Sequence, residues 1–260
     1  MTSIRVPATI ANLGPGFDVL AMAVDLWLEA EAEPAQAPAW TFVGVEPPPG
    51  HPFEGLRMRG QVRSEIPLGV GLGSSAAARV AVLALEGVPA GELFARAVKV
   101  EGHPDNVAAA IHHGVVACVA DRVLRLPVPD DLEVALFVAA EPSPTEQARA
   151  ILPATVSRAD AVYNAGRNAL LVHALHARDW SLLGIAMEDR LHQPARSSIY
   201  PWLPETIAAA RAAGAHGAAL AGAGPSVFAF APPGAGKQVA EAMTAAAGAP
   251  GRPLVTRIVS

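Results

Sequence analysis

Apolar and polar residues change period several times along the chain, and each change predicts an element. Strict alternation at Trp27-Leu-Glu-Ala-Glu-Ala-Glu33 and at residues 56–59 predicts half-exposed strands, because successive strand side chains point to opposite faces. Apolar residues spaced three and four apart predict helices over 74–85, 92–100, 107–112, 161–177, 205–213 and 238–247, two of which stop before Gly114 and Gly214. Residues 114–120 and 122–128 read as a hairpin, and 134–140 as a new apolar strand. Strands and helices interleave, but the hairpin argues for antiparallel pairing and so for an α+β fold over a uniform parallel sheet.

The strongest break is Pro127-Val-Pro-Asp-Asp131, and a chain of 260 residues is long enough for two domains, expected at 1–129 and 130–260. Residues 34–38 and 46–52 also hold many breakers and read as surface loops. Hydrophobic residues make up 52% and charged residues 17%, which excludes a disordered chain. A net charge of −5 offers no basic field to nucleic acid or an anionic membrane, so neither is expected as a partner. No stretch reaches the ~18 apolar residues of a membrane span, and the first five residues lack an apolar signal core. The single cysteine, Cys118, lies in an apolar run and reads as a small buried hydrophobe. A cytoplasmic location is expected from these features.

Pro67-Leu-Gly-Val-Gly-Leu-Gly-Ser-Ser-Ala-Ala77 carries the clearest chemistry: glycines feed two serines and then a helix. Such a loop turns its main-chain N–H groups toward an anion, and the helix N-terminus adds positive potential. Ser74 or Ser75 could then offer a hydroxyl to a phosphate-bound Mg²⁺. A Walker A loop is excluded, because no Gly-Lys-Ser/Thr follows. Gly71-Leu-Gly73-Ser-Ser-Ala76 does fit a dinucleotide fingerprint, yet its preceding residues make a poor buried strand and no second strand ends in an acid about 20 residues on. A loop that merely caps its helix is the third possibility.

Four further segments are weaker alone. Asn12, Gly14, Gly16 and Asp18 crowd one turn, which ordinary turn chemistry explains. Glu101-Gly-His-Pro-Asp-Asn106 sets a carboxylate at one helix end and Pro-Asp-Asn at the next start, where capping and ligand binding are equally served. Ser143-Pro-Thr-Glu146 reads as a capping box that leaves Thr145 and Arg149 together on one helix face. Leu191-His-Gln-Pro-Ala-Arg196 and Gly222-Ala-Gly-Pro-Ser226 read by default as a surface arginine and a turn. The eight histidines lack metal-ligand spacing and read as surface or helix-face residues.

Together and in this order, these segments resemble the GHMP family of small-molecule kinases, in particular its homoserine-directed branch. The resemblance covers most of the chain and rests on P-x-x-x-G-L-G-S-S-A-A, on V-P-A-T-x-A-N-L-G-P-G-F-D, on E-G-H-P-D-N and on H-Q-P-x-R. It implies an N-terminal ribosomal-protein-S5-like domain, a C-terminal ferredoxin-like domain, and ATP on the loop Pro67, Leu68, Gly69, Val70, Gly71, Leu72, Gly73, Ser74, Ser75, Ala76 and Ala77. It further implies Mg²⁺ on Ser75 and Glu101, and L-homoserine among Asn12, Asp18, Asp105, Asn106, Thr145, Arg149 and Arg196. The Gly222 loop is expected beside the phosphate loop. The implied reaction is phosphorylation of the homoserine hydroxyl by a cytoplasmic homodimer, with Asn106, Glu101 and Ser75 catalytic. A kinase for another alcohol and a nucleotide-binding pseudo-kinase are the alternatives.

The substrate's charges fit those roles, since a carboxylate calls for planar cations and an ammonium for carboxylate acceptors. The aspartate–lysine pair of the mevalonate kinase relatives has no counterpart: Lys99 and Lys237 are the two lysines of the chain and neither lies in a motif. It also has no recognisable adenine-side segment between Val45 and Leu56, Ile10 where serine is common, and Ala195 where an aromatic is common. Weak discrimination between ATP and GTP is therefore expected.

Overall fold

The computed structural model describes residues 1–47 and 49–260; Pro48, within the loop expected at 46–52, lies outside the described residues. The first half contains β1 (Thr2–Asn12), β2 (Gly16–Pro34), β3 (Ala39–Val43), β4 (Met58–Ser64), α1 (Ser74–Leu85), α2 (Ala90–Glu101), α3 (Pro104–His112), β5 (Val115–Val119) and β6 (Arg122–Leu126). The second half contains β7 (Glu133–Ala139), α4 (Thr145–Ala150), α5 (Arg158–Ala177), α6 (Leu183–Ala186), α7 (Gln193–Arg196), α8 (Leu203–Ala212), β8 (Gly217–Leu220), β9 (Val227–Ala231), α9 (Gly236–Ala247) and β10 (Gly251–Thr256).

The alternation at 27–33 is the far end of the 19-residue β2, with Leu28, Ala30 and Ala32 buried and Glu29 and Glu31 exposed. This strand serves two neighbours: residues 20–22 pair with β5 and residues 28–34 with β4, while β1 runs antiparallel along nearly all of it. The strand expected at 56–59 begins at Met58 and continues to Ser64, because Leu56 still closes the short 3₁₀ turn Pro52–Gly55. Within it Met58, Val62 and Ser64 face inward. The helices and hairpin expected in this half form within a few residues of their expected ends. Cys118 is buried in a small cluster with Ala11, Ala21, Ala108, Ala109 and Val116, and burial pushes its thiol up to about 11.

The second sheet runs β10-β7-β9-β8, entirely antiparallel. With helices between β7 and β8 and α9 between β9 and β10, this is the order of a ferredoxin-like fold. Alternation in β7 divides two cores. Ala135, Phe137 and Ala139 face α8 and α9 in one, while Val134, Leu136 and Val138 join the core of the first half. The two sheets therefore share apolar packing, and the loops between β1 and β2, before α1, before α3 and after β8 meet at one end of it.

The capping box expected at residues 143–146 does not form. Pro144 takes the N-cap position of α4, and Ser143 faces elsewhere: its Oγ accepts from the Tyr200 hydroxyl at 2.7 Å and its N–H donates to Gly69 O at 2.9 Å. The hydroxyl that would have capped α4 is thus engaged by Tyr200 instead. The start of α4 is thereby tied to the glycine loop.

Candidate active site

One cavity of about 120 Å³ gathers residues from all the segments singled out in the sequence. Asn12 and Asp18 come from the β1–β2 turn, Gly69, Gly71, Gly73, Ser74 and Ser75 from the glycine loop, and Glu101, Asp105 and Asn106 from the α2–α3 junction. Thr145, Arg149 and Arg196 close it from the second half, together with Gly222. His103, inside the same motif but not among the expected site residues, also lines it, and burial together with Arg149 lowers its pKa.

The glycine loop can bend this way because Gly71 and Gly73 have φ of +87° and +68°. At Gly71 a Cβ would sit 2.1 Å from Ala221 O, and at Gly73 it would sit 1.9 Å from Thr9 Oγ1. The loop before α1 thus packs backbone to backbone against the Gly222 loop, as the resemblance implied. Gly73 is the N-cap of α1 and has no side chain to occupy the first N–H groups, and Ser74 and Ser75 of that first turn line the cavity. Val70, Leu72, Ala76 and Ala77 send their side chains into the core, which leaves only their main chain for a ligand. Pro67 lines a separate cavity with Val138 and Ala139.

Beside this N-terminus the Ser75 hydroxyl donates to Glu101 Oε2 at 2.9 Å, joining the start of α1 to the end of α2. The pair suits a small hard cation that takes few protein ligands and keeps water. Thr9 Oγ1 donates to Asn106 Oδ1 at 2.7 Å and the Asn106 amide donates to Asp105 Oδ1 at 3.5 Å, which together fix the side chain where it lines the cavity. Asp105 is buried, and burial pushes its carboxyl up to about 6 although the Asn106 N–H bonds it at 2.7 Å.

The second-half arginines differ in their surroundings. Arg149 forms a two-pronged pair with Asp18, at 2.5 and 3.1 Å, and its buried Nε has no partner. Arg196 is no surface arginine: only 1% of it is exposed, and burial lowers its pKa to about 10, so it remains charged at neutral pH. Its Nε donates to Ala148 O and its Nη1 to Gly222 O, both at 3.1 Å. His192 likewise departs from the surface reading. It is fully buried, burial lowers its pKa, and it bonds Gly14 O through Nε2 at 2.8 Å while Nδ1 accepts from Arg196. Phe17 stacks on His192 and lies 5.4 and 5.6 Å beneath the two guanidinium groups.

A second, apolar cavity of about 370 Å³ adjoins the first and shares Gly69, Ser74 and Ser75 with it. Phe42, His51, Phe53, Val62 and Leu68 form its walls. The segment ahead of the glycine loop that looked featureless in sequence builds this cavity, because His51 caps the 3₁₀ turn and orders Phe53 against Phe42 and Trp40.

An apolar cavity beside a helix N-terminus, adjoining a charged, polar cavity, is the arrangement that a nucleotide-dependent phosphotransferase for a small molecule requires. Residues 45–114 match the model of the GHMP kinases N terminal domain and residues 171–249 that of the GHMP kinases C terminal. The chain is 41% identical to the homoserine kinase of Thermus thermophilus, covering 98% of this chain and 95% of that protein. It is 40% identical to the homoserine kinase of Moorella thermoacetica over 88% of this chain and 87% of that one. A solved homoserine kinase from Cytophaga hutchinsonii superposes with a TM-score of 0.84 at 29% identity, covering 99% of this chain and 95% of that chain. The chain belongs to the homoserine kinases of the GHMP kinase family.

Proposed function

We propose that this protein transfers the γ-phosphoryl group of ATP to the side-chain hydroxyl of L-homoserine, giving O-phospho-L-homoserine for threonine biosynthesis. The observation that carries the reading is the juxtaposition, in one cavity, of an uncapped helix N-terminus with a Ser75–Glu101 pair and two arginines. Arg149 and Arg196 receive the substrate carboxylate, and Asp18 with Asp105 accepts from its ammonium. Arg149 lies about 30% exposed and already meets a carboxylate, that of Asp18, so its guanidinium is the more accessible of the two for the substrate's own. Asn12 and Thr145 line the same wall. Asn106 orients the hydroxyl, and alignment with charge neutralisation suffices for a loose phosphoryl-transfer transition state. The main chain of the loop from Pro67 to Ala77 holds the phosphates, and the apolar cavity takes the base. Mg²⁺, when bound, neutralises phosphate charge; Ser75 and Glu101 are the residues that would hold it.

The same reading includes a cytoplasmic homodimer. The absence, among the described residues, of a helix long and apolar enough to cross a membrane is compatible with it, and sedimentation of the purified protein checks the dimer. Substrate identity is tested by ADP release over homoserine, mevalonate, galactose and shikimate. Turnover confined to homoserine is expected, and Mg·ATP binding with no turnover of any alcohol would mean a pseudo-kinase. Glu101→Gln and, less strongly, Ser75→Ala should raise the Mg²⁺ concentration needed for turnover; wild-type rates at limiting Mg²⁺ would refute the metal assignment.

A further inference from the structure

The phosphate loop contains no lysine, yet one cation stands beside it. Arg79 lies one turn along α1 from Ser75, on the same face. Its Nε donates to Glu101 Oε2 at 2.7 Å, the same oxygen that accepts from the Ser75 hydroxyl, and it approaches Ser75 Oγ at 3.4 Å. Arg79 also lines the apolar cavity. Arg79 therefore stands where the two cavities meet, the position that the polyphosphate of a bound nucleotide must cross. The other full cations among the described lining residues, Arg149 and Arg196, are across the polar cavity and bound to Asp18, Ala148 and Gly222.

We propose that Arg79 is the resident cation of the phosphate site: it holds the Ser75–Glu101 pair in the metal-free protein, neutralises phosphate charge when nucleotide enters without metal, and yields Glu101 when metal enters with it. The proposal rests on the assignment of Ser75 and Glu101 as the pair that would hold the metal. Its physical basis is competition. A guanidinium and a divalent ion at one carboxylate oxygen repel each other, so binding of either weakens the other by the same factor. The pair is partly exposed, with 34% of the arginine and 17% of the glutamate side chain accessible, so the exchange is shallow enough to be reversed by nucleotide binding.

Calorimetric ATP binding, measured once in EDTA and once in saturating Mg²⁺, separates this role from a structural one. Arg79→Met should weaken metal-free ATP about fivefold, the scale of a partly exposed charge contact, and leave Mg·ATP within about twofold of the wild type in either direction, because the lost phosphate contact is offset by removal of the metal's competitor at Glu101. Arg79→Lys should restore most of the metal-free affinity, because a point charge suffices for neutralisation. Arg79→Gln should behave as Arg79→Met and guards against a folding defect specific to one variant. Equal losses in both conditions, or none in either, would overturn the proposal while leaving the kinase reading intact. Failure of the wild-type protein to bind Mg·ATP would instead overturn both.

Discussion

Arg149 and Arg196 illustrate how residues of one type are made different by their surroundings. Arg149 spends its fork on Asp18 and keeps Nε free, whereas Arg196 is buried and held by two carbonyls. Truncating either to alanine should leave a bound carboxylate half-paired and cost about 2 to 5 kcal/mol in kcat/KM for homoserine. Arg→Lys should rescue only part of it, and ATP affinity should barely change; a loss confined to ATP would remove the carboxylate assignment. Asp105 gives a pH signature. Burial raises its carboxyl from 3.8 to about 6, so the folded chain holds a proton that the unfolded chain releases in that window, and stability should fall as pH rises from about 4 to 6. Asp105→Asn should remove this slope from Tm measured against pH. Because the ammonium needs the ionised form, the homoserine KM of the wild type should also rise below about pH 6, and a flat KM there would exclude Asp105 from the substrate's ammonium.

At the scale of elements, the glycine loop was legible because alternating glycines ahead of two serines and a helix-forming run mark a tight turn into a helix under each of its readings, and α1 begins at Ser74 as expected. Gly71→Ala should force both a positive φ on a residue with a side chain and a Cβ into Ala221 O, costing about 1 to 3 kcal/mol from the backbone alone. The expected outcome is a Tm lower by several degrees with weakened ATP binding, and an unchanged Tm would mean that the loop is not wedged against the Gly222 turn. What sequence concealed were partners far along the chain. Ser143 looked like a local cap because Tyr200, 57 residues on, is invisible to local pattern. His192 and Arg196 looked like surface residues because their burial depends on Gly14 and Gly222 arriving from other loops. The apolar cavity was concealed for a similar reason: besides the glycine loop and the start of α1, its walls come from β3, β4 and the 3₁₀ turn, none of which carries a motif. Its side chains are mainly apolar and read shape more than base edges, so the expected preference for ATP over GTP stays below about a hundredfold, roughly 2.7 kcal/mol. Competitive binding of the two nucleotides checks this, and a larger preference would mean that a polar group of the cavity reads the base.

For the whole molecule, the consequential contact is the one that links its halves across the polar cavity. Asp18 on β2 and Arg149 on α4 neutralise each other in the absence of substrate, and both lie about one-third exposed. A zwitterion can enter by exchange: its ammonium takes over Asp18, its carboxylate takes over Arg149, and no charge is left unpaired. A ligand with only one of the two charges must break the same pair and leave one partner uncompensated. Homoserine should therefore bind, whereas 4-hydroxybutyrate, lacking the ammonium, and 3-aminopropan-1-ol, lacking the carboxylate, should each bind far more weakly than loss of one contact would suggest. Binding that bridges the halves should also stabilise the whole fold. At a hundredfold excess over Kd, homoserine should add about 2.7 kcal/mol, which for a chain of this length is a rise in Tm of roughly 5 to 10 °C. Asp18→Asn should abolish most of that rise. Thermal melts with the three alcohols decide the matter: a comparable shift with either single-charge analogue would show that the Asp18–Arg149 pair is not exchanged on binding and that selectivity for an amino-acid alcohol arises elsewhere in the cavity.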